Sequence, residues 1–347
     1  MDETATTVAR RPMLRRGVRR LWRGPDTLQL GRRPGGGAVL AGLDEATRAV
    51  LGLLDGSRSR TQVIAQAATL GCPSARTAEL LALLEGAGLV RDAAATCSTA
   101  GLGTTREERD RRAVDLDELH PGGAARRGTA AVVVLGAGRV GAAVASLLAA
   151  AGVGAVDVVD DGVTRASDTG VGAAALRDVG RPRGVAARAQ LEAMAPSVRT
   201  GPLSQADLVV LAPVGPEDLE AAGGWAARAS PHLYVEVQDN VGVVGPLVVP
   251  SHTPCLRCLD LHRTDRDPDW PMLAVQLSAP VRDLISCDAT LAVAVAAQAT
   301  LQALTYLDGG TPATCAGTLE LTLPGWQWRR RSWTPHPECD CGVARSA

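Results

Sequence analysis

One stretch of the chain constrains the fold more than any other. The apolar run Thr129–Leu135 leads straight into Gly136-Ala137-Gly138-Arg139-Val140-Gly141, and an Ala- and Leu-rich helical segment follows over 140–151. A continuous apolar run of this length reads as a strand buried on both faces of a parallel sheet. In G-x-G-x-x-G the first glycine makes a tight turn. The second lets backbone approach a phosphate, and the third lets helix pack on strand. The helix start then offers free N–H groups and partial positive charge to an anion. The next strand, Val156–Val159, ends at Asp160, 19 residues after Gly141, where an acidic side chain would hold ribose hydroxyls.

Strand, loop, helix, strand and acid together predict a Rossmann-like nucleotide fold. An unliganded glycine turn and a solvent-facing strand-end Asp160 are the plainer alternatives. A helix near 184–194 and apolar strands at Leu208–Leu211, Leu233–Val237 and Val241–Val249 continue an α/β pattern. Residues 251–347 hold two cysteine pairs, an Ala-rich helix over 288–307 and a Trp-rich strand over Thr318–Trp333. The expected architecture is a Rossmann-like, mostly parallel sheet over 129–347, with a metal-stapled C-terminal part.

The N-terminal third reads differently. Residues 1–11 are expected to be disordered. Within 12–95, Leu21-Trp22, Thr27–Leu30 and Ala38–Leu40 are short strand-like pieces between Gly, Pro and Asp turns. Helices follow at about 43–54, 60–69 (N-cap Ser59 or Thr61) and 74–87, and Leu89-Val90 reads as a last strand. A small sheet with three helices is a winged-helix (α+β) arrangement. Residues 96–128 are expected to be a linker, in which 104–112 could form one solvated helix.

Composition closes off several chemistries. All 36 basic residues are arginine, which excludes a Schiff-base lysine, a lysine base and a lysine on a phosphate. The formal net charge is −1, against general nucleic-acid binding, and the arginine pairs before Trp22 read as a solvated basic edge. The uncharged runs 140–156 and 289–307 read as core helices rather than membrane spans, because one lies in the glycine-loop unit and the other carries Gln298 and Gln302. The first dozen residues lack an apolar export segment, so a reducing, cytoplasmic setting is expected.

In that setting the eight cysteines read as metal ligands or packing residues. Cys255-Leu256-Arg257-Cys258 and Cys339-Asp340-Cys341 are two close pairs far apart in sequence. That is what a structural four-cysteine zinc site needs, and it would staple the tail to the domain. A redox dithiol and unbound packing cysteines are the alternatives, and His336 could replace one sulfur. Cys72, Cys97, Cys287 and Cys315 stand alone. Cys287, ahead of the Ala-rich helix, fits a buried small hydrophobe better than an activated thiol.

These features in this order resemble the ThiF/MoeB/HesA superfamily, the fold of ubiquitin-activating enzymes, from about residue 129 to 341. The match rests on Val132–Gly141, Ala151-Gly152-Val153-Gly154, Val158-Val159-Asp160-Asp161, Val179-Gly180-Arg181-Pro182-Arg183, Pro254–Cys258 and the tail cysteines. The resemblance implies adenylation of a C-terminal carboxylate of a small carrier protein with ATP and Mg²⁺, in a homodimer. Residues 12–95 are similar to PqqD-like peptide-recognition domains, which precede ThiF-like domains in partners of azoline-forming cyclodehydratases. There the leader of a precursor peptide joins as an added strand.

Carried over position by position, the resemblance gives Gly136, Gly138, Arg139, Gly141, Asp160 and Arg183 as nucleotide-binding residues. Cys255, Cys258, Cys339 and Cys341 become the zinc ligands. Arg183 stands where the family has a phosphate-contacting lysine. The family's Asn followed by Arg-Gln comes out as Asp168-Thr169-Gly170-Val171-Gly172. The Mg²⁺-binding Asp falls near Val214-Gly215, with Glu217 and Asp218 as conceivable substitutes. Losing these charges should cripple phosphoanhydride chemistry. The expected function is therefore a peptide- or partner-binding protein with an altered nucleotide site, presenting a precursor peptide to a modifying enzyme. An active adenylyltransferase is the alternative, and an NAD-dependent oxidoreductase, which leaves the cysteine pairs unexplained, is a distant third. Whether the chain is an enzyme stays open at this level.

Overall fold

The computed structural model describes residues 8–15, 17–31, 37–93, 105–108, 123–214, 229–238, 240–277 and 287–343. The chain divides into two compact units, Met1–Ala125 and Arg126–Ala347.

In the first unit, β1 (Pro12–Leu14) pairs antiparallel with β5 (Val90–Asp92), while β2 (Arg20–Trp22), β3 (Leu28–Leu30) and β4 (Ala38–Leu40) form a second antiparallel sheet in that order. Against these sheets pack α1 (Glu45–Leu53), α2 (Arg60–Thr69) and α3 (Ser74–Gly86). Their starts follow from local chemistry. Asp44 accepts the Thr47 N–H at 2.8 Å, and Ser59 with Gln62 forms a reciprocal capping box. Leu28 and Leu30 from the sheet meet Val50, Val63, Leu81 and Leu84 from the helices, all fully buried. Each such side chain stabilises the unit by about 1.5–3 kcal/mol. Strand β1 is too short to announce itself in sequence, and its pairing with β5 defines it. Of the stretch 1–11, residues 1–7 lie outside the described residues. Ala9 N–H donates to Glu85 Oε1 at 3.1 Å, and the Arg10 and Arg11 N–H groups donate to Asp92.

The second unit is mixed α/β around a seven-stranded sheet ordered β12-β11-β10-β9-β8-β6-β7. Strands β6 (Ala131–Leu135), β7 (Ala155–Val159), β8 (Leu208–Leu211) and β9 (His232–Gln238) run parallel. Strands β10 (Val241–Val248), β11 (Gly317–Thr322) and β12 (Trp328–Ser332) continue antiparallel. Helix α5 (Arg139–Ala150) crosses from β6 to β7, and α6 (Arg183–Met194) crosses back toward β8. Because β7 and β8 flank β6, the strand order reverses at the carboxyl ends of β6 and β8. That reversal opens the crevice in which open α/β sheets bind ligands.

Helix α9 (Ala289–Leu307) is long and apolar enough to cross a membrane, yet half of it is buried inside the unit. Leu291, Val295, Ala299 and Ala303 sit in the same core as Val144, Leu148 and Val244, so it is a core helix.

The tail hairpin and helices at three further places depart from the sequence reading. Thr318–Trp333 is a hairpin of two strands, since Pro324 lacks the N–H a continuing strand would need. Helix α4 (Gly123–Thr129) ends the expected linker, and the buried Arg127 grips Asp308 beyond the end of α9 through two contacts of 2.8 and 2.5 Å. Helices α7 (Leu256–Thr264) and α8 (Trp270–Leu277) were not expected. Most of the linker and of the expected helix over 104–112 lies outside the described residues.

Candidate functional site

Two clusters carry the chemistry of the second unit. The first is the crevice at the strand-order reversal. Gly136 holds a φ of +95°, and a side chain there would strike the Ala212 carbonyl. A side chain on Gly141 would strike the Gly136 carbonyl, so these two glycines let the loop turn tightly over the end of β8. Gly138 caps α5, and Val214 lies close against it: a Cβ on Gly138 would meet Val214 Cγ2 at 2.7 Å. The position expected to carry a metal-binding carboxylate thus presents an isopropyl group to the middle of the glycine loop. Glu217 and Asp218 lie outside the described residues.

Asp160 and Arg183, the two charged residues expected at the nucleotide, are brought together, and they satisfy each other. Arg183 Nε lies 2.9 and 2.8 Å from the two Asp160 carboxylate oxygens. The same carboxylate accepts the Ala137 N–H at 2.7 Å and the Gly162 N–H at 2.8 Å. Both side chains are buried, Asp160 completely and Arg183 to 6 % exposure. Gly162 leaves the space in which the guanidinium lies, since any side chain there would collide with it. Asp168, where the family has asparagine, adds a second acid 3.7 Å from Arg183 Nη1. Burying a charge costs far less when it is paired and hydrogen-bonded, and here the pairing is internal.

Arg139, the remaining predicted cation, spans two backbone carbonyls, from Nε to Thr169 at 3.0 Å and from Nη1 to Cys287 at 2.7 Å. It braces the loop after β7 and the start of α9. Val171, where the family has arginine, is 77 % exposed. Burial pushes the half-buried Cys287 thiol up, only partly offset by Arg139, which fits a packing cysteine.

The second cluster joins the four predicted sulfur ligands. Cys255 is the N-cap of α7 and Cys258 lies in its first turn, so both thiols leave the same helix end, and Cys339 and Cys341 return to them from the tail. The Sγ–Sγ distances are 3.9 Å for Cys255–Cys258, and 3.6 Å for both Cys255–Cys339 and Cys258–Cys341. A disulfide would be about 2.05 Å. Four sulfurs at about 2.3 Å from one tetrahedral zinc stand about 3.8 Å apart. The spacing is that of a metal tetrahedron, and the cluster could hold a metal.

Burial and the sulfurs' mutual contacts act on the thiols' acidities. Burial pushes Cys339 up to about 12. Burial also acts to raise Cys341, but the Val343 backbone N–H and the three neighbouring thiols outweigh it and bring that thiol down. The tail is clasped beside the sulfurs. His336 faces Asp265 through Nε2 at 2.9 Å and accepts the Glu338 N–H at Nδ1, and His262 Nε2 meets the Thr334 carbonyl at 2.9 Å. His336 is therefore part of the clasp beside the sulfurs. The spacing of His262 and Asp265 on and just after a helix was the signal available for this contact, which sequence reasoning missed.

Residues 111–209 match the ThiF family. Over 106 residues the chain is 37 % identical to the SAMP-activating enzyme E1 of Haloferax volcanii, covering 30 % of this chain and 39 % of that protein. Over 100 residues it is 40 % identical to the sulfur carrier protein adenylyltransferase of Thermus thermophilus, covering 27 % and 36 %. The match thus spans less than half the length of either curated relative. Among solved structures, Escherichia coli MccB with ATP superposes with a TM-score of 0.69 at 16 % identity, over 95 % of this chain and 99 % of that one. MccB with AMPCPP and the peptide MccA gives 0.70, also at 16 % identity and the same coverage. PaaA gives 0.63 at 18 % identity, over 91 % and 98 %. At such identities these likenesses speak for the fold.

Proposed function

We propose that this chain, which carries a ThiF family domain, is a peptide-binding member of that family whose nucleotide crevice is not built for phosphoanhydride chemistry. The first unit, read as a winged-helix, PqqD-like domain, would capture a precursor peptide by strand addition. The second would dock or dimerise and present that peptide to a modifying enzyme. The exposed Val163, Val171, Leu176 and Val179 offer a second copy an apolar surface.

The observation that carries this reading is the closed Asp160–Arg183 pair beneath a glycine loop covered by Val214. A nucleotide would need Asp160 for its ribose and a free cation for its phosphates, and the two groups are spent on each other. ATP and Mg²⁺ therefore do not fit the described residues, and we assign no chemical step to them. The four cysteines do fit zinc, by donor type and spacing. Bound there, zinc would supply a fixed centre of positive charge. Cys255, Cys258, Cys339 and Cys341 would hold it as thiolates and so pin the tail against α7.

The second reading is an active adenylyltransferase acting on a carrier protein. The intact glycine loop favours it, as do relatives named for adenylation and the MccB structure with ATP. Pyrophosphate exchange with ATP, Mg²⁺ and candidate peptides or carrier proteins separates the two. The proposed reading expects no exchange above background together with peptide binding; robust exchange would overturn it.

A further inference from the structure

Two segments of chain meet at the sulfur cluster, and each is brought there by contacts other than sulfur. Cys255 is the N-cap of α7 and Cys258 lies in its first turn, so the helix fixes both. On the tail side, the buried Trp333 donates from Nε1 to Thr318 Oγ1 at 3.1 Å, and His336 faces Asp265 at 2.9 Å. The Cys339 N–H then donates to the His336 carbonyl at 3.1 Å.

The closest approaches run across the two segments. Cys255–Cys339 and Cys258–Cys341 are 3.6 Å apart, whereas the two helix sulfurs stand at 3.9 Å. Each crossing pair joins a half-exposed residue, Cys255 or Cys341, to a buried one, Cys339 or Cys258. An accessible sulfur beside a second sulfur is the arrangement that lets an oxidised cysteine be resolved as a disulfide. Cys72 is buried, Cys287 and Cys315 are half-buried, and all three lie outside the cluster.

We propose that the cluster is a site of reversible oxidation, at which a peroxide couples Cys255 to Cys339 and Cys258 to Cys341 and turns the metal staple into a covalent one. This rests on the reading of the four cysteines as thiolate ligands of zinc. The Cys341 thiolate attacks one peroxide oxygen and the O–O bond breaks. A sulfenic acid forms, and the departing hydroxide takes a proton from solvent. Cys258 Sγ then attacks the oxidised sulfur, the S–O bond breaks, and a second hydroxide leaves as water in the same way. Cys255 and Cys339 react likewise. Each pair gives up two electrons, and each peroxide becomes two waters. The thiolate is the metal ligand, so the oxidised cysteines release the cation while the tail stays on α7. Closing each pair from 3.6 Å to the disulfide length of about 2.05 Å is a sulfur movement of about 1.5 Å. Bonds within each segment, Cys255–Cys258 and Cys339–Cys341, would instead cut the staple.

The test titrates the full chain with hydrogen peroxide. Released zinc is read with the chromophoric chelator pyridylazoresorcinol, and disulfides are mapped by mass spectrometry after digestion without reductant. Arg257 separates Cys255 from Cys258, and Asp340 separates Cys339 from Cys341. Trypsin with the endoprotease Asp-N therefore leaves each sulfur on its own peptide.

The expected result is release of about one zinc per chain as the two crossing disulfides form. Cys287 and Cys315 should be oxidised roughly tenfold more slowly or less, since neither belongs to the cluster. Dithiothreitol with added zinc should restore the starting thiol and metal content. Cys341→Ser should keep the Cys255–Cys339 link and lose the other, and the wild-type map decides the pairing even if that variant fails to fold. Predominant links within each segment would overturn the covalent staple. Oxidation of Cys287 and Cys315 at the cluster's rate, or passage of the cluster straight to sulfinic and sulfonic acids, would overturn the site itself. Zinc content before any oxidant is added tests the ligand reading separately: a chain without zinc would sink that reading, while the disulfide map of the same sample would still decide the pairing.

Discussion

The sulfur cluster and the glycine-loop crevice are both charged groups gathered by distant parts of one sheet domain, yet they stand in opposite states. In the crevice, Asp160 accepts two backbone N–H groups and one guanidinium, and Arg183 lies between two acids, so every charge has a partner from the chain itself. In the sulfur cluster, four thiols crowd to 3.6–3.9 Å of one another, and backbone groups of Cys258, Cys341 and Val343 give Cys255, Cys339 and Cys341 hydrogen bonds that favour the thiolate. A preorganised ligand site leaves its groups poised and unsatisfied. A structural site satisfies them. By that measure the cysteines are disposed to hold a cation, while the described charges of the crevice are satisfied from within.

Metal removal should have the largest effect. Structural zinc binds with apparent free energies of about 10–16 kcal/mol near neutral pH. One zinc per chain is expected in the intact protein and almost none in a Cys255→Ser, Cys258→Ser variant, with a lower melting temperature for the second unit. Equal metal content in the two would break the comparison at its stronger end. Because the ligands are thiolates, protons compete with the metal, so affinity should fall as pH falls. A metal-binding titration followed across pH reads that slope.

The crevice gives the next effect. Removing one partner of a buried ion pair typically costs about 3–5 kcal/mol, because the other charge is left buried alone. Arg183→Ala should destabilise the protein by about that much in urea unfolding, and Asp160→Asn added to it should restore most of the loss. If Arg183→Ala is nearly neutral, Asp160 has another way to be satisfied, and a ribose hydroxyl becomes a credible occupant.

Why one site could be read from sequence and the other only in part is a matter of how many elements each needs. The cysteine ligands lie in two short runs, and spacing alone nominates all four. The glycine loop was equally legible, because Gly136 and Gly141 answer to local backbone crowding, and strands β6 to β8 followed from their unbroken apolar runs. The closure of Asp160 by Arg183 was not legible. It needs β7, α6 and Gly162 in register, and both residues are the type expected at a nucleotide, so identity concealed the pairing. Val171 and Val214 gave the visible hint. The split of the tail into β11 and β12 was written in Pro324, but the Trp and Arg residues on either side read as one run. Helix α4 follows from Arg127 meeting Asp308, a partner 181 residues away that no local pattern foretells.

A smaller effect sharpens the crevice side from the opposite direction. Restoring the family's residues with Val214→Asp, Asp168→Asn and Val171→Arg should raise ATP binding measurably in calorimetry. It should not bring full pyrophosphate exchange, because Arg183 would still hold Asp160. Adding Arg183→Lys, the residue the family carries there, should raise ATP binding further, because an ammonium lacks the guanidinium fork that holds Asp160 and stays available to a phosphate. If the triple variant alone gains full exchange, the pair opens readily and the crevice is less self-contained than its geometry implies.

The smallest effect concerns the turn that carries Arg183 into place. Asp178 accepts the Ala175 N–H at 3.1 Å and pairs with Arg181 at 2.8 Å. The Ala175 hydrogen bond and then Arg181 outweigh desolvation and hold its carboxyl below the usual 3.8. A carboxyl with a depressed folded pKa contributes stability that is fully present above its unfolded value and is lost as pH falls through the folded one. Asp178→Asn should therefore flatten the fall of stability in acid below 3.8 and shift the neutral melting temperature only slightly, since Arg181 is half exposed and an exposed pair contributes about 0–1 kcal/mol. The measurement is the melting temperature of both proteins across the acid range. Parallel curves would mean that Asp178 keeps its ordinary acidity, and that the turn is held by its backbone bonds and by Arg183 alone.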